Sequence, residues 1–430
     1  MKKLILTTIA IFIFQFLVGQ QIAKSSFGNV LLKGGTLVTV SNGNMISDLL
    51  IKDGLIASIG ESLSAEEDVE IIDCEGLYIY PGMIDGGTQL GLAEVGAVSL
   101  TQDHDELGDY TPHMEALTAV NPSSVTIPVT RVNGVTTVLT MPTRGLFPGT
   151  ASLINLHGYT PEQMYAGFKG VILNFPSTGK RNRWDKRTEE DIKKDSEKSM
   201  KKLNKYWDEA EIYATIDASG KNDLAYNPQM SAVTNVINDG VPLLIEVNKK
   251  GDILNAIKWI NEREIKAIFM GVSEGWRLAD SLAKYEIPVI TGPVLKTPSR
   301  ASDKYDRPYQ NASLMLENGV KVALRTNESE NIRNLPYNAG FAATYGMGIE
   351  EALKAVTLVP AEIFGVADRY GSLEEGKVAS LFISDGDPFE TKTEIQYLFI
   401  DGWKVPLESR HTLLYDEFLE RNPGLDKSKK

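Results

Sequence analysis

The sequence predicts an α/β protein: a βα array preceded by the short strands of a small β-sandwich. Two observations carry that reading. Apolar strand-like runs at residues 134–139, 241–247, 266–270 and 320–324 alternate with helical patterns, and several are β-branched and apolar on both faces. Strands buried on both sides read this way, and their alternation with helices argues for a parallel architecture. Nearer the N-terminus, residues 31–38 and 48–60 are short strand patterns broken by Gly34, Gly35 and Gly54. Such breaks mark the hairpins of a small sandwich. On alternation alone, a doubly wound open sheet would serve as well as a closed barrel.

The run Pro81-Gly82-Met83-Ile84-Asp85-Gly86-Gly87-Thr88-Gln89 narrows the choice. It is similar to the Pro-Gly-x-Ile-Asp-x-His-x-His segment that ends the first barrel strand of the amidohydrolase superfamily. Residues 31–38 and 48–60 resemble that superfamily's opening sandwich strands, and residues 71–73 and 77–80 lead from them into Pro81. At the far end, residues 352–366 resemble its last barrel helix and residues 371–388 its returning sandwich segment. The chain thus resembles a metal-dependent, imidazolonepropionase-like hydrolase, in a variant lacking the metal-binding histidines. The resemblance implies a distorted TIM-like (β/α)8 barrel with a small composite β-sandwich domain formed from both ends of the chain. Its expected parts are sandwich residues 21–80 and 367–408, a barrel at 81–366 and a C-terminal tail at 409–430. An open sheet would explain neither the Pro81 run nor the split sandwich.

Composition bounds the partners. With 430 residues, 42% of them apolar, the chain can fill a large core. The formal charge of −13 disfavours nucleic acid and anionic membranes, which require concentrated Lys and Arg. Residues 180–205 are rich in Lys and Arg, but Asp185, Glu189, Glu190, Asp191, Asp195 and Glu197 interleave with them. That is the pattern of a solvated helix laced with opposite charges. Lys2 and Lys3 before an apolar run at residues 4–18 have the form of a secretory signal, giving an expected leader at residues 1–20 and a periplasmic or secreted protein. No later stretch is apolar and long enough for a stable membrane span. Cys74, the single cysteine, rules out an internal disulfide.

The resemblance also supplies a ligand set to check: two histidines on strand one, a lysine or glutamate on strand four, a histidine each on strands five and six, and an aspartate on strand eight. The matching positions hold Gly87 and Gln89, then Asn248 beside Glu246, then Gly271, then Asn327. Lys169 is one strand-four candidate, and it reads better as an ordinary helix-end or surface lysine. Glycine offers no ligand, neutral amides are weak ones, and an asparagine cannot accept a proton as a base. Of the four histidines, none matches. His411 reads as a surface residue, and His157 lies on a turn before the capping pattern Thr160-Pro161-Glu162. His104 and His113 belong to an acidic stretch, residues 103–113, placed where barrel loops reach over the mouth.

Two readings follow. In the first, the protein is an exported relative of the amidohydrolases without metal-dependent hydrolysis and with no cofactor, binding a small molecule or a homologous subunit in a homo- or hetero-oligomer. Asp85, Glu246, Glu274, Asp103, His104 and His113 then line its ligand pocket, and Glu246 and Glu274 recognise a basic group. In the second, an active hydrolase of non-peptide carbon–nitrogen bonds uses a divalent metal such as zinc, or an acid/base set, near Asp103 and His113.

Overall fold

The computed structural model describes residues 24–64, 67–180, 185–219, 225–238 and 240–421. The expected leader at 1–20 and the end of the tail beyond Arg421 lie outside the described residues. Among the described residues no helix is long and apolar enough to cross a membrane.

Two sheets organise the chain. The first is the composite sandwich, nine strands in the order β1-β17-β16-β15-β6-β2-β3-β4 with β5 beside β2. Its N-terminal strands are β1 (Ser26–Phe27), β2 (Val30–Val38), β3 (Asn44–Lys52), β4 (Leu55–Gly60), β5 (Glu70–Asp73) and β6 (Tyr78–Pro81). From the other end of the chain come β15 (Leu381–Ser384), β16 (Ile395–Ile400) and β17 (Trp403–Lys404). The two ends meet where β6 pairs antiparallel with β15, Pro81 opposite Leu381. Leu32, Leu37, Leu49, Ile51, Ile79, Leu381 and Phe399 fill the space behind this join.

The second sheet is the barrel, its eight strands running in order from β7 to β14. They are β7 (Met83–Thr88), β8 (Val135–Thr140), β9 (Thr150–Asn155), β10 (Tyr165–Asn174), β11 (Leu243–Val247), β12 (Ala267–Gly271), β13 (Val289–Thr291) and β14 (Val322–Leu324). Every residue of β7, β8 and β9 is buried, as strands enclosed on both faces require. Ile84, Leu139, Leu153, Ile172, Leu244, Ile268, Ile290 and Ala323 point inward and pack into one cluster, closed from below by Phe364 and Tyr370. The interior is therefore a packed core, not a channel.

One expectation is corrected. The array is not uniformly parallel, because β9 runs antiparallel to both β8 and β10. Residues 141–149 and 156–164 link these strands. Those links are shorter than the crossover of about a dozen residues that a parallel neighbour needs, so the chain turns back as hairpins.

The ring closes between β14 and β7 at the mouth. Asn327 N–H donates to the Gly87 carbonyl at 3.0 Å and Gln89 N–H to the Glu328 carbonyl at 3.1 Å. Between them the buried Asp85 carboxylate accepts from Thr326 Oγ1 at 2.5 Å, from Thr326 N–H at 3.2 Å and from Gly87 N–H at 3.0 Å.

From Glu189 onward the charged tract lies in the helix Glu189–Ala218, opened by a capping box between Thr188 and Asp191. Its outer face carries opposite-charge pairs such as Lys194 with Glu190, while Leu203, Tyr206 and Trp207 pack toward the barrel. The tract is thus an amphipathic outer helix.

Candidate functional site at the barrel mouth

Side chains reach the mouth by continuing the alternation of the interior. On β14, Ala323 faces inward, so the next inward position is Arg325, 1% exposed. On β11, Leu244 is followed in the same way by Glu246 and then by Asn248. Arg325 Nη2 lies 2.9 Å from Glu246 Oε1 and 2.8 Å from Oε2, and the glutamate side chain is 25% exposed. Asn248 Nδ2 donates to Glu246 Oε1 at 2.9 Å, and its Oδ1 accepts from Ser273 Oγ at 2.6 Å. Lys296 Nζ, from the loop after β13, donates to Ser273 Oγ at 2.7 Å. A continuous polar string therefore runs Lys296–Ser273–Asn248–Glu246–Arg325 across the ends of strands β11 to β14. Burial, followed by the positive charge of Arg325, lowers the Lys296 ammonium to about 8 against the opposing pull of Glu246.

Gly87 and Gly271 fit this string closely. A Cβ at Gly87 would lie 3.1 Å from Arg325 Cδ and from Met141 Sδ, and 3.2 Å from Met270 Cε. An imidazole has no room there while Arg325 keeps its place. At Gly271, with φ +81°, a Cβ would lie 2.5 Å from Glu246 Oε1 and 2.6 Å from Asn248 Oδ1. Gly271→Ala is accordingly expected to lose about 2 kcal/mol through backbone strain and crowding. Urea denaturation measures it, and an unchanged midpoint would remove the steric argument. Gln89 is nearly buried beside the seam, whereas Asn327 is exposed and contributes its backbone N–H.

A divalent metal does not suit this set of groups. The mouth presents a guanidinium, an ammonium, two thioethers and one carboxylate already bound by the guanidinium. A metal site needs several unengaged imidazole, thiolate or carboxylate donors and no fixed cation in their midst. Among the described residues, no group of three or more His, Cys, Asp or Glu side chains is arranged to hold a metal.

The other expected pocket residues stand outside this string. Glu274, its side chain 1% exposed, accepts from Arg300 Nε and Nη2 at 2.6 Å each and from Lys250 N–H at 2.8 Å. Burial works against its charge, but these bonds hold the carboxyl below its ordinary range. The expected recognition of a basic ligand is therefore revised: Glu246 and Glu274 each already hold an arginine of this chain. Asp85 is committed to the seam, where burial outweighs its hydrogen bonds and lifts it to about 7. Asp103 is exposed, and His104 Nδ1 lies 3.1 Å from Thr143 Oγ1. His113 lines a separate cavity of about 190 Å³ with Glu115 and Lys169. Lys169 points outward from β10 and pairs with Glu115 at 2.6 Å, away from the interior. His157 lies at the opposite end of the barrel, 3.0 Å from Ser25 Oγ and 5.2 Å from the Trp403 ring. His411 is exposed, as expected.

Sequence reasoning missed Arg325 and Lys296. A signal for the first did exist: an arginine two residues beyond an inward alanine on a short, apolar strand. Nothing in the sequence marks the lysine. A larger cavity of about 820 Å³ lies elsewhere, between the sandwich and the helix Ile349–Lys354, and includes Tyr78, Tyr80, Phe389 and Asp387 but no strand-end residue of the mouth.

Comparison with known proteins agrees with this architecture. The model of the amidohydrolase family matches residues 130–405, well over half the chain. A solved amidohydrolase from Thermotoga maritima has 26% identity and a TM-score of 0.75, covering 88% of this chain and 99% of that one. A solved D-hydantoinase, at 14% identity and TM-score 0.53, covers 87% of this chain and 94% of its own and shares the fold. Among curated relatives, a D-hydantoinase of Geobacillus stearothermophilus is 45% identical over 78 residues, 18% of this chain and 16% of the relative. A dihydroorotase of Citrifermentans bemidjiense is 41% identical over 58 residues, 13% of this chain and 14% of the relative. These curated matches span only a small part of the relatives' own length.

Proposed function

We propose, from the premise that this chain belongs to the amidohydrolase family, that it uses the barrel mouth to bind a small molecule and does not carry out metal-dependent hydrolysis. The observation that carries this reading is Arg325. A protein-borne cation, neutralised by Glu246 and packed against Gly87, stands where the family's strand-one histidines would direct a metal. Electrophilic activation by a bound metal lowers the pKa of water and polarises the scissile carbonyl. Arg325 cannot generate hydroxide in that way. It can hold charge and donate hydrogen bonds, which is the equipment of a recognition site.

The test is metal content together with turnover. The purified protein is expected to carry no stoichiometric zinc or manganese, to keep its melting temperature in chelator, and to leave hydantoins, dihydroorotate and linear amides unhydrolysed when either metal is added. About one metal per chain, with turnover that chelation abolishes, would overturn the reading and restore the hydrolase.

A further inference from the structure

We infer that the ligand of this mouth is a small organic carboxylate, held by Lys296 and Ser273 over the buried charge of Arg325; the inference rests on the binding reading above. The polar string carries two cations and one carboxylate. Glu246 is bound on both oxygens by Arg325 and on one by Asn248. Lys296 has no carboxylate partner among the described contacts, and its recorded hydrogen bond goes to Ser273 Oγ. An ammonium has three donors, so two N–H bonds of this half-buried side chain remain for a ligand. Arg325 adds to the surplus, since its buried Nε has no hydrogen-bond partner and Nη1 meets only Met141 Sδ, at 4.0 Å.

A site with spare donors and an unbalanced positive charge calls for an acceptor bearing negative charge. While Lys296 is protonated and Asp85, near Arg325, keeps its proton, the local excess is one charge. That matches a monoanionic carboxylate better than a dianionic phosphate, which Glu246 would repel. The Glu246 side chain is 25% exposed while that of Arg325 is covered, so a ligand would approach from the Glu246 side. The acid group therefore meets Lys296 and Ser273 at the rim, with Arg325 supplying charge from beneath. Burial lowers the Lys296 ammonium to about 8, with Arg325 adding to the effect and Glu246 opposing it. Carboxylate binding should accordingly take up a proton near pH 8 and weaken above it.

The experiment is calorimetric titration of the full protein with acetate, glutarate and N-acetylglycine, with phosphate and a panel of neutral amides beside them. At least one carboxylate is expected to bind more tightly than phosphate, with affinity falling as pH rises from 7 to 9. Lys296→Met should weaken it by about tenfold or more, the value of one charged hydrogen bond, whereas Lys296→Arg should retain most of it. Unchanged carboxylate affinity in Lys296→Met, or tighter binding of phosphate, sinks the assignment. If neutral amides bind and carboxylates do not, the anion inference fails while the binding reading stands. If nothing in either panel binds, both fail.

Discussion

Arg325→Ala is expected to destabilise the protein by about 3–5 kcal/mol, a large part of the total stability of an ordinary domain. Two effects add. The guanidinium's aliphatic stem packs with Met141 and Met270 against Gly87, so its removal opens a void above the interior cluster. Glu246 is also left without the Arg325 Nη2 group that meets both its oxygens and compensates its desolvation. Its partial exposure softens the second loss, which keeps the figure at the lower end of what a fully buried pair would cost. Replacing both groups with apolar side chains, Arg325→Met with Glu246→Leu, should recover most of the loss. A closed double-mutant cycle by urea denaturation measures the coupling. A loss below about 1 kcal/mol in the single variant would mean that Arg325 does not fill the mouth. The argument against a metal would then lose its steric half.

The fold was readable because its signals are local. The Pro81 run, the Gly-broken hairpins and the returning segment at residues 371–388 each depend on a few neighbouring residues, and the sheets place all three where they were expected. The reversal of β9 was harder to see. Its two links are short enough to forbid crossovers, but recognising this requires locating β9 first, and residues 150–155 are flanked by runs that read equally well as strand or loop. That Gly87, Gln89, Asn248, Gly271 and Asn327 fall at or near strand ends was legible. What surrounds them was not. That depends on Arg325 and Glu246 meeting across the barrel from residues 79 apart in sequence, and on Lys296 folding back from a loop to reach Ser273. The first contact spans four strands of the barrel and the second two, and neither leaves a pattern within a short window of sequence.

Closure also sets the second large effect. Asp85 is fully buried at the β7–β14 seam, and its carboxyl is lifted from 3.8 to about 7 by burial, against the hydrogen bonds of Thr326 and Gly87 and the nearby charge of Arg325. A raised acid pKa means that the folded protein holds this proton over a range in which the unfolded chain has released it. Stability from this group is therefore complete below about pH 4, declines as pH rises toward 7, and is flat above that, with a span of up to about 4 kcal/mol. Asp85→Asn removes the titration while keeping an acceptor oxygen for the Thr326 and Gly87 donors. Denaturation of the two proteins at pH 4.5, 6, 7.5 and 8.5 should show the native protein losing ground to the asparagine variant across the first three points and running parallel to it thereafter. Asp85→Ala strands three donors at the seam and should lie about 3–5 kcal/mol below Asp85→Asn at every pH, since neither variant titrates there. A constant gap between native and asparagine proteins would mean that the three donors outweigh burial and keep Asp85 ionised throughout. The seam would then be held by a permanent carboxylate.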